Sequence, residues 1–99
     1  MIYYAKRKRG REASMALIVE KATEEQKKEF EKLREKRQEV GSSDWYFDEK
    51  TVCLLLEGKA VIDHYGERIP VEAGDLLTFP QGFRCQWIIL EPIRVKGKL

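Results

Sequence analysis

The residues able to do chemistry in this chain are few and widely spaced. Two cysteines, Cys53 and Cys85, and one histidine, His64, are its only thiol and imidazole groups among 99 residues. These groups serve most readily as nucleophile, general base or transition-metal ligand. Cys85 lies near the end of "GDLLTFPQGFRCQW" (74–87), where Gly74, then Pro80 and Gly82, mark two turns with a strand between them. His64 sits in "DHYGE", a hairpin-turn composition that is expected to expose it. Ser42 and Ser43 have no histidine near them in sequence to activate a hydroxyl. Glu57 precedes Gly58 and Asp75 follows Gly74, both in expected bends, where Asp75 should cap its own loop backbone. No acid–base pair and no nucleophile–base pair can be read from these positions.

The elements that must hold these residues change character along the chain. From Trp45 onward, glycines recur at 58, 66, 74 and 82, and between them lie short runs rich in Val, Ile, Leu, Phe and Trp. Evenly spaced turn signals between short apolar strands predict a sandwich or barrel. In "TVCLLLE", Thr51, Cys53 and Leu55 share one face and Val52, Leu54 and Leu56 the other. Both faces are largely apolar, so this strand should be covered on both sides: by the barrel interior, and by a helix, a second sheet or a second subunit. Pairing of two copies is the expectation. Upstream, "ALIVE" (16–20) reads as an edge strand. "TEEQ" (23–26) is a capping-box pattern, followed by strong helix formers with opposite charges three or four apart. The spacing predicts a helix over about 23–40, stopped by Gly41. Its apolar stripe holds only Phe30, Leu33 and Val40, so most of it should face water.

Composition bounds the rest. A chain this short buries about 60–65% of its unfolded surface and forms one small domain. No apolar run approaches the ~18–20 residues of a membrane span, and the N-terminus lacks the apolar core of an export signal. Two cysteines are too few for a disulfide scaffold, which points to a reduced, cytoplasmic protein with free thiols. Asparagine is absent while Glu, Lys and Arg are abundant, a bias resembling thermophile proteins. The net charge of +2 divides unevenly. Residues 1–22 carry six Lys/Arg against two Glu, and residues 23–99 carry thirteen against fifteen acids. The excess is concentrated in "KRKRGR" at 6–11, within a basic tail spanning residues 1–14, ahead of a single domain from Met15 to Leu99. No aromatic stacking platform or groove-reading motif accompanies these charges, so nucleic acid is not an expected partner.

The stretch from Trp45 to Arg94 resembles a small single-domain cupin, a mainly β, double-stranded β-helix or jelly-roll barrel, here preceded by one N-terminal helix. The similarity is carried by "DWYFDEKTVCLLLEGKAVI" and, more specifically, by "AGD", "FPxG", the tryptophan two past the cysteine and "LEPxR" in one run. It extends to the compact cupins related to the ureidoglycine aminohydrolase domain. Relatives of that kind have strand-forming residues where this chain reads "LREKRQEV", which implies an edge strand in the latter part of the expected helix.

Metal-binding cupins hold one ion with a His-x-His, a glutamate and a final histidine. The resemblance puts those positions at Trp45 and Phe47, Thr51 and Cys85. Three of the four cannot act as conventional ligands, so no metal and no cofactor is expected. The same mapping turns Cys53 and Cys85 inward and surrounds them with Trp45, Phe47, Thr51 and Trp87. Two readings follow: a ligand cup with aromatic walls, a hydroxyl and two thiols, or a filled core. The first makes the protein a binder of a small, partly apolar molecule; the alternative is a small cupin enzyme acting on a nitrogenous or carbonyl compound. The missing ligands weigh against the enzyme.

Overall fold

The computed structural model describes residues 17–97 and the backbone of Tyr3–Tyr4. The strands are β1 (Tyr3–Tyr4), β2 (Ile18–Lys21), β3 (Arg34–Gln38), β4 (Gly41–Phe47), β5 (Thr51–His64), β6 (Glu67–Glu72), β7 (Asp75–Phe79) and β8 (Phe83–Gly97), with one helix, α1 (Glu24–Phe30), between β2 and β3. All strand pairs are antiparallel and run β1-β2-β7-β5-β8-β3, with β6 added to β5 and β4 added to β8. The two long strands, β5 and β8, take different neighbours along their lengths. The first half of β5 pairs with β7 and its second half with β6. The first half of β8 pairs with β4 and its last residues with β3. Each therefore serves both faces of the barrel, and the fold is the expected mainly β jelly roll with one helix.

The eight-residue glycine rhythm marks three reversals, not four. Gly66, Gly74 and Gly82 sit in turns, but Gly58 lies inside β5. There the register with β8 shifts repeatedly between Leu55 and Ala60. Gly58 has φ +94, and a Cβ on it would collide with the Pro92 carbonyl. A left-handed residue and a proline that cannot donate form a bulge that bends both strands without ending them. "TVCLLLE" and "KAVID" are thus one strand, as are "RCQWIIL" and "IRVKG". Glu57 sits at this bend, exposed, and pairs with Arg94 at 3.2 Å. The bulge also changes parity: Thr51, Cys53 and Leu55 are buried before it, Ala60 and Ile62 after it.

The expected helix over 23–40 is corrected to seven residues. The capping box forms: Gln26 N donates to Thr23 Oγ1 at 3.1 Å, and Thr23 N donates to Gln26 Oε1 at 2.8 Å. The helix ends at Phe30, and residues 34–38 become β3, registered along β8 from Arg34 opposite Gly97 to Gln38 opposite Ile93. Charged i,i+4 pairs are worth only ~0.2–0.5 kcal/mol each, too little to hold a helix against a strand ladder. α1 packs against β5. Leu54 and Leu76, register partners on the outer face, are buried while standing apart from the interior cluster. Phe30 and Leu33 are half-buried, and Val40 is exposed. "ALIVE" does supply a strand, β2, flanked by β1 and β7. Asp75 does cap its own loop, accepting from Glu72 N at 2.8 Å, and it also pairs with Lys21 at 3.0 Å. Apart from the Tyr3–Tyr4 backbone, the basic tail of residues 1–14 lies outside the described residues, as do Met15, Lys98 and Leu99.

Candidate functional site

The register of β4 on β8 places Trp45 opposite Cys85, Phe47 opposite Phe83 and Ser43 opposite Trp87. The register of β5 on β7 places Thr51 opposite Phe79 and Cys53 opposite Leu77. Inward parity along these strands brings Trp45, Phe47, Thr51, Cys53, Cys85 and Trp87 into the barrel, each no more than 8% exposed. The six residues singled out in the sequence therefore face one interior.

That interior is packed with rings. Trp45 stacks on Trp87 at 4.7 Å between centroids, and Phe47 stacks on Phe79 at 4.2 Å. Phe79 also meets Phe83 at 5.6 Å and Trp87 at 6.2 Å, both tilted. Such pairs contribute ~0.5–1.5 kcal/mol each beyond area burial, so the stack is a rigid floor. Above it, a cleft of about 500 Å³ opens at the barrel mouth, lined by Trp45, Phe47 and Thr51 together with Lys36, Asp48 and Glu49. Cys85 and Trp45 also border a cleft of about 460 Å³ beside Tyr46, Tyr65 and Arg84. Cys53 and Trp87 lie beneath the floor, fully buried.

Trp45 is fixed on three sides. Its Nε1–H donates to Ser43 Oγ at 2.8 Å and to Gln38 Oε1 at 3.2 Å. One ring face rests on Trp87, and over the ring stands the Lys36 ammonium, 4.3 Å from the centroid. Lys36 and Gln38 come from β3, where their register partners Val95 and Ile93 are buried interior residues. The inward row of β3 is therefore polar and extends past the core onto the rim. Neither residue was recognisable as a site residue while 34–38 read as helix. The available signal was the implied edge strand, which gives Lys36 and Gln38 a shared face.

The thiols are held protonated. Burial, reinforced by the nearby Cys85, pushes the Cys53 thiol up to about 12. Burial likewise takes Cys85 up to about 12, with the Trp87 indole N–H favouring its thiolate and the Asp44 charge opposing it. That N–H is itself fully buried and reaches no acceptor with hydrogen-bond geometry. Both cysteines are free. Thr51 is buried with its hydroxyl donating to the Glu49 carbonyl at 2.9 Å.

The expected exposure of His64 is corrected. The two-residue turn is Tyr65–Gly66, both at positive φ, with Asp63 Oδ1 accepting from Gly66 N at 2.9 Å. His64 thus remains the last residue of β5 and keeps the inward parity of Ile62. Its ring is half-buried and stacks on Phe83 at 4.1 Å. Nδ1 lies 2.9 Å from the Arg84 carbonyl oxygen, which can only accept, so Nδ1 carries the proton. Among the described residues, no three His, Cys, Asp or Glu side chains come together as a metal cluster. No helix among them is long and apolar enough to cross a membrane.

Comparison with known proteins places this geometry. Residues 36–97 match the family described as the EutQ-like cupin domain. The crystal structure of a DUF861 family protein from Thermotoga maritima is 42% identical, with a TM-score of 0.78 over 84% of this chain and 98% of that one. The EutQ protein of Clostridium difficile is 16% identical over 83% of this chain and 65% of its own, with a TM-score of 0.59. A putative ethanolamine utilization protein Q from Salmonella typhimurium is 15% identical over 98% and 91%, with a TM-score of 0.57. The last two likenesses are of fold. A search against curated proteins finds no match.

Proposed function

The chain belongs to the EutQ-like cupin domain family, and on that premise we propose that it binds a small, partly apolar molecule at the mouth of its barrel without the usual cupin metal set. The kinship with ureidoglycine aminohydrolase cupins belongs to the same reading and rests on the sequence runs alone. The observation that carries it is the cleft of about 500 Å³ floored by Trp45, Phe47 and Thr51. Its size falls in the range of small-molecule sites, and it sets a narrow aromatic floor among mainly polar and charged side chains. Because the rings fill the space beneath, the guest rests on the stack and does not enter it.

The four positions that would carry a cupin metal are committed elsewhere. The Trp45 indole is clasped by Ser43 and Gln38, Phe47 is stacked, the Thr51 hydroxyl is donated to a backbone carbonyl and the Cys85 thiol is protonated. Such a donor set does not fit a transition metal, which needs thiolate, imidazole or carboxylate. A thiol kept neutral is also a poor nucleophile, which favours a binding role over catalysis. Both free thiols suit a reducing compartment.

The test uses the protein's own chromophores, since Trp45 and Trp87 are its only tryptophans. A metabolite library is titrated while tryptophan emission is followed, with Trp45→Phe as control. A ligand that shifts the emission of the native protein, and is lost in the variant, supports the reading. Ligands that bind the variant equally well would move the site elsewhere. Stoichiometric metal in untagged protein, absent from Cys85→Ala, would overturn the metal-free part.

A further inference from the structure

We propose that the barrel-mouth cleft is a site for a small organic ammonium ion, and that Lys36 occupies it in the free protein as a tethered stand-in. This rests on the reading of the cleft as a ligand site and goes on to name the class of ligand.

The Lys36 ammonium lies 4.3 Å from the centroid of the Trp45 ring. The underside of that ring is taken by Trp87, and its N–H is tied to Ser43 and Gln38. The indole is thus held with one face turned to the cleft and no freedom to rotate away. Indole is the strongest aromatic partner for a cation, and a pre-positioned face is how proteins recognise ammonium groups. Asp44, Asp48 and Glu49 line the same cleft. Yet among the described residues none of the ion pairs involves Lys36. The ammonium therefore rests on the ring with acidic side chains around it left unpaired. A cation is what this space is built to hold, and an anion would meet three like charges.

The placement of Lys36 makes it displaceable. It projects from β3, at the end of the strand order, on a flexible four-carbon stem, and the residue is exposed. A free ammonium compound entering the cleft would take over the Trp45 face, while its body would rest beside Phe47 in a volume larger than one ammonium group needs. Lys36 would then swing to solvent. Its contact with Trp45 sets the penalty every ligand must overcome, so the residue weakens binding and raises the concentration at which the site fills.

The experiment compares the native chain with Lys36→Ala, which clears the ring face, and Lys36→Gln, which keeps a stem without charge. The probes are choline, its uncharged carbon isostere 3,3-dimethylbutan-1-ol, and the anion 3,3-dimethylbutyrate. The readout is the side-chain indole N–H resonances of Trp45 and Trp87, with thermal melting to verify folding. Choline should move the Trp45 resonance and bind Lys36→Ala about 3- to 30-fold more tightly than the native chain, the range expected for releasing one cation–π contact. The isostere should bind more weakly and gain little, and the anion should not bind. Equal binding of choline and its isostere, or no gain in either variant, would overturn the ammonium assignment. If these probes leave Trp45 unmoved while other library compounds shift it, the ammonium class is wrong and the mouth site stands. If nothing shifts Trp45 in any of the three proteins, both are wrong.

Discussion

At the scale of single residues, burial decides what the two cysteines can do. A thiol that ionises near 9 when exposed and near 12 in the barrel stays neutral across the physiological range. Iodoacetamide at pH 7.5 should therefore leave Cys53 unmodified in the native protein and react with both thiols in urea; rapid native labelling would contradict the burial. The same shift links stability to pH. Below about 9 both states hold their thiol protons and the contribution is complete. As pH rises from about 9 towards 12, the unfolded chain gives up protons that the folded chain retains, and stability falls. Denaturation midpoints of the native chain should drop more steeply over that window than those of a Cys53→Ala, Cys85→Ala double variant. Parallel slopes would show that the thiols are not the titrating groups. The shared face of Thr51 and Cys53 was legible from strand parity, whereas the inward placing of Cys85 and the rings beside it came from the cupin resemblance. Lys36 and Gln38 were not legible, since a lysine and a glutamine at this spacing read equally well as part of a solvated helix face.

At the scale of elements, the bend at Gly58 is the most demanding point of the chain. Replacing it with alanine puts a Cβ against the Pro92 carbonyl in a left-handed conformation, and should cost at least about 2 kcal/mol of unfolding free energy. Gly66→Ala shares the positive φ but meets nothing within 4 Å, so about 1–2 kcal/mol is expected there. The difference, read by urea denaturation, isolates the close approach of β5 to β8; equal losses would mean it is not tight. Removing the α1 cap with Thr23→Ala should cost about 1 kcal/mol. The sequence made the strands legible through alternation and turn residues, and the capping box located the start of α1 correctly. Propensity concealed where the helix stops, because residues 34–38 favour helix and take strand form from lying beside β8; only the family resemblance implied the edge strand found there. The sequence concealed the continuity of β5 and β8 for a related reason: a glycine at positive φ reads alike whether the chain reverses or merely bulges.

At the scale of the whole molecule, the first half of β5 shows how a small barrel covers two apolar faces at once. Its inner face meets the aromatic stack, and α1 packs on the strand from outside, where Leu54 and Leu76 are buried. The helix thus supplies part of the cover for which a second subunit was the expectation. A second copy remains a proposal for the apolar surface around exposed Leu90 and half-buried Val61, and sedimentation equilibrium decides it. A particle of twice 11.6 kDa is expected, returning to one chain on Leu90→Asp; a monomer at all concentrations would mean that α1 is cover enough.

The order in which β8 finds its neighbours bears on how a cell makes this protein. β3, β4 and β5 all leave the ribosome before β8, yet each takes a full ladder of hydrogen bonds from it. Until residue 83 is translated, a nascent chain can assemble only the β5–β6 hairpin, the pairings of β7 with β5 and β2, and that of β2 with β1. Trp45 and Phe47 wait in the open, with no opposing strand to shield them from chaperones, proteases or neighbouring chains. Translation of residues 83–97 then supplies the strand shared by both faces, so the barrel closes late and nearly at once. A ribosome-stalled series should accordingly stay protease-sensitive until β8 has emerged, and turn resistant over the span of that one strand.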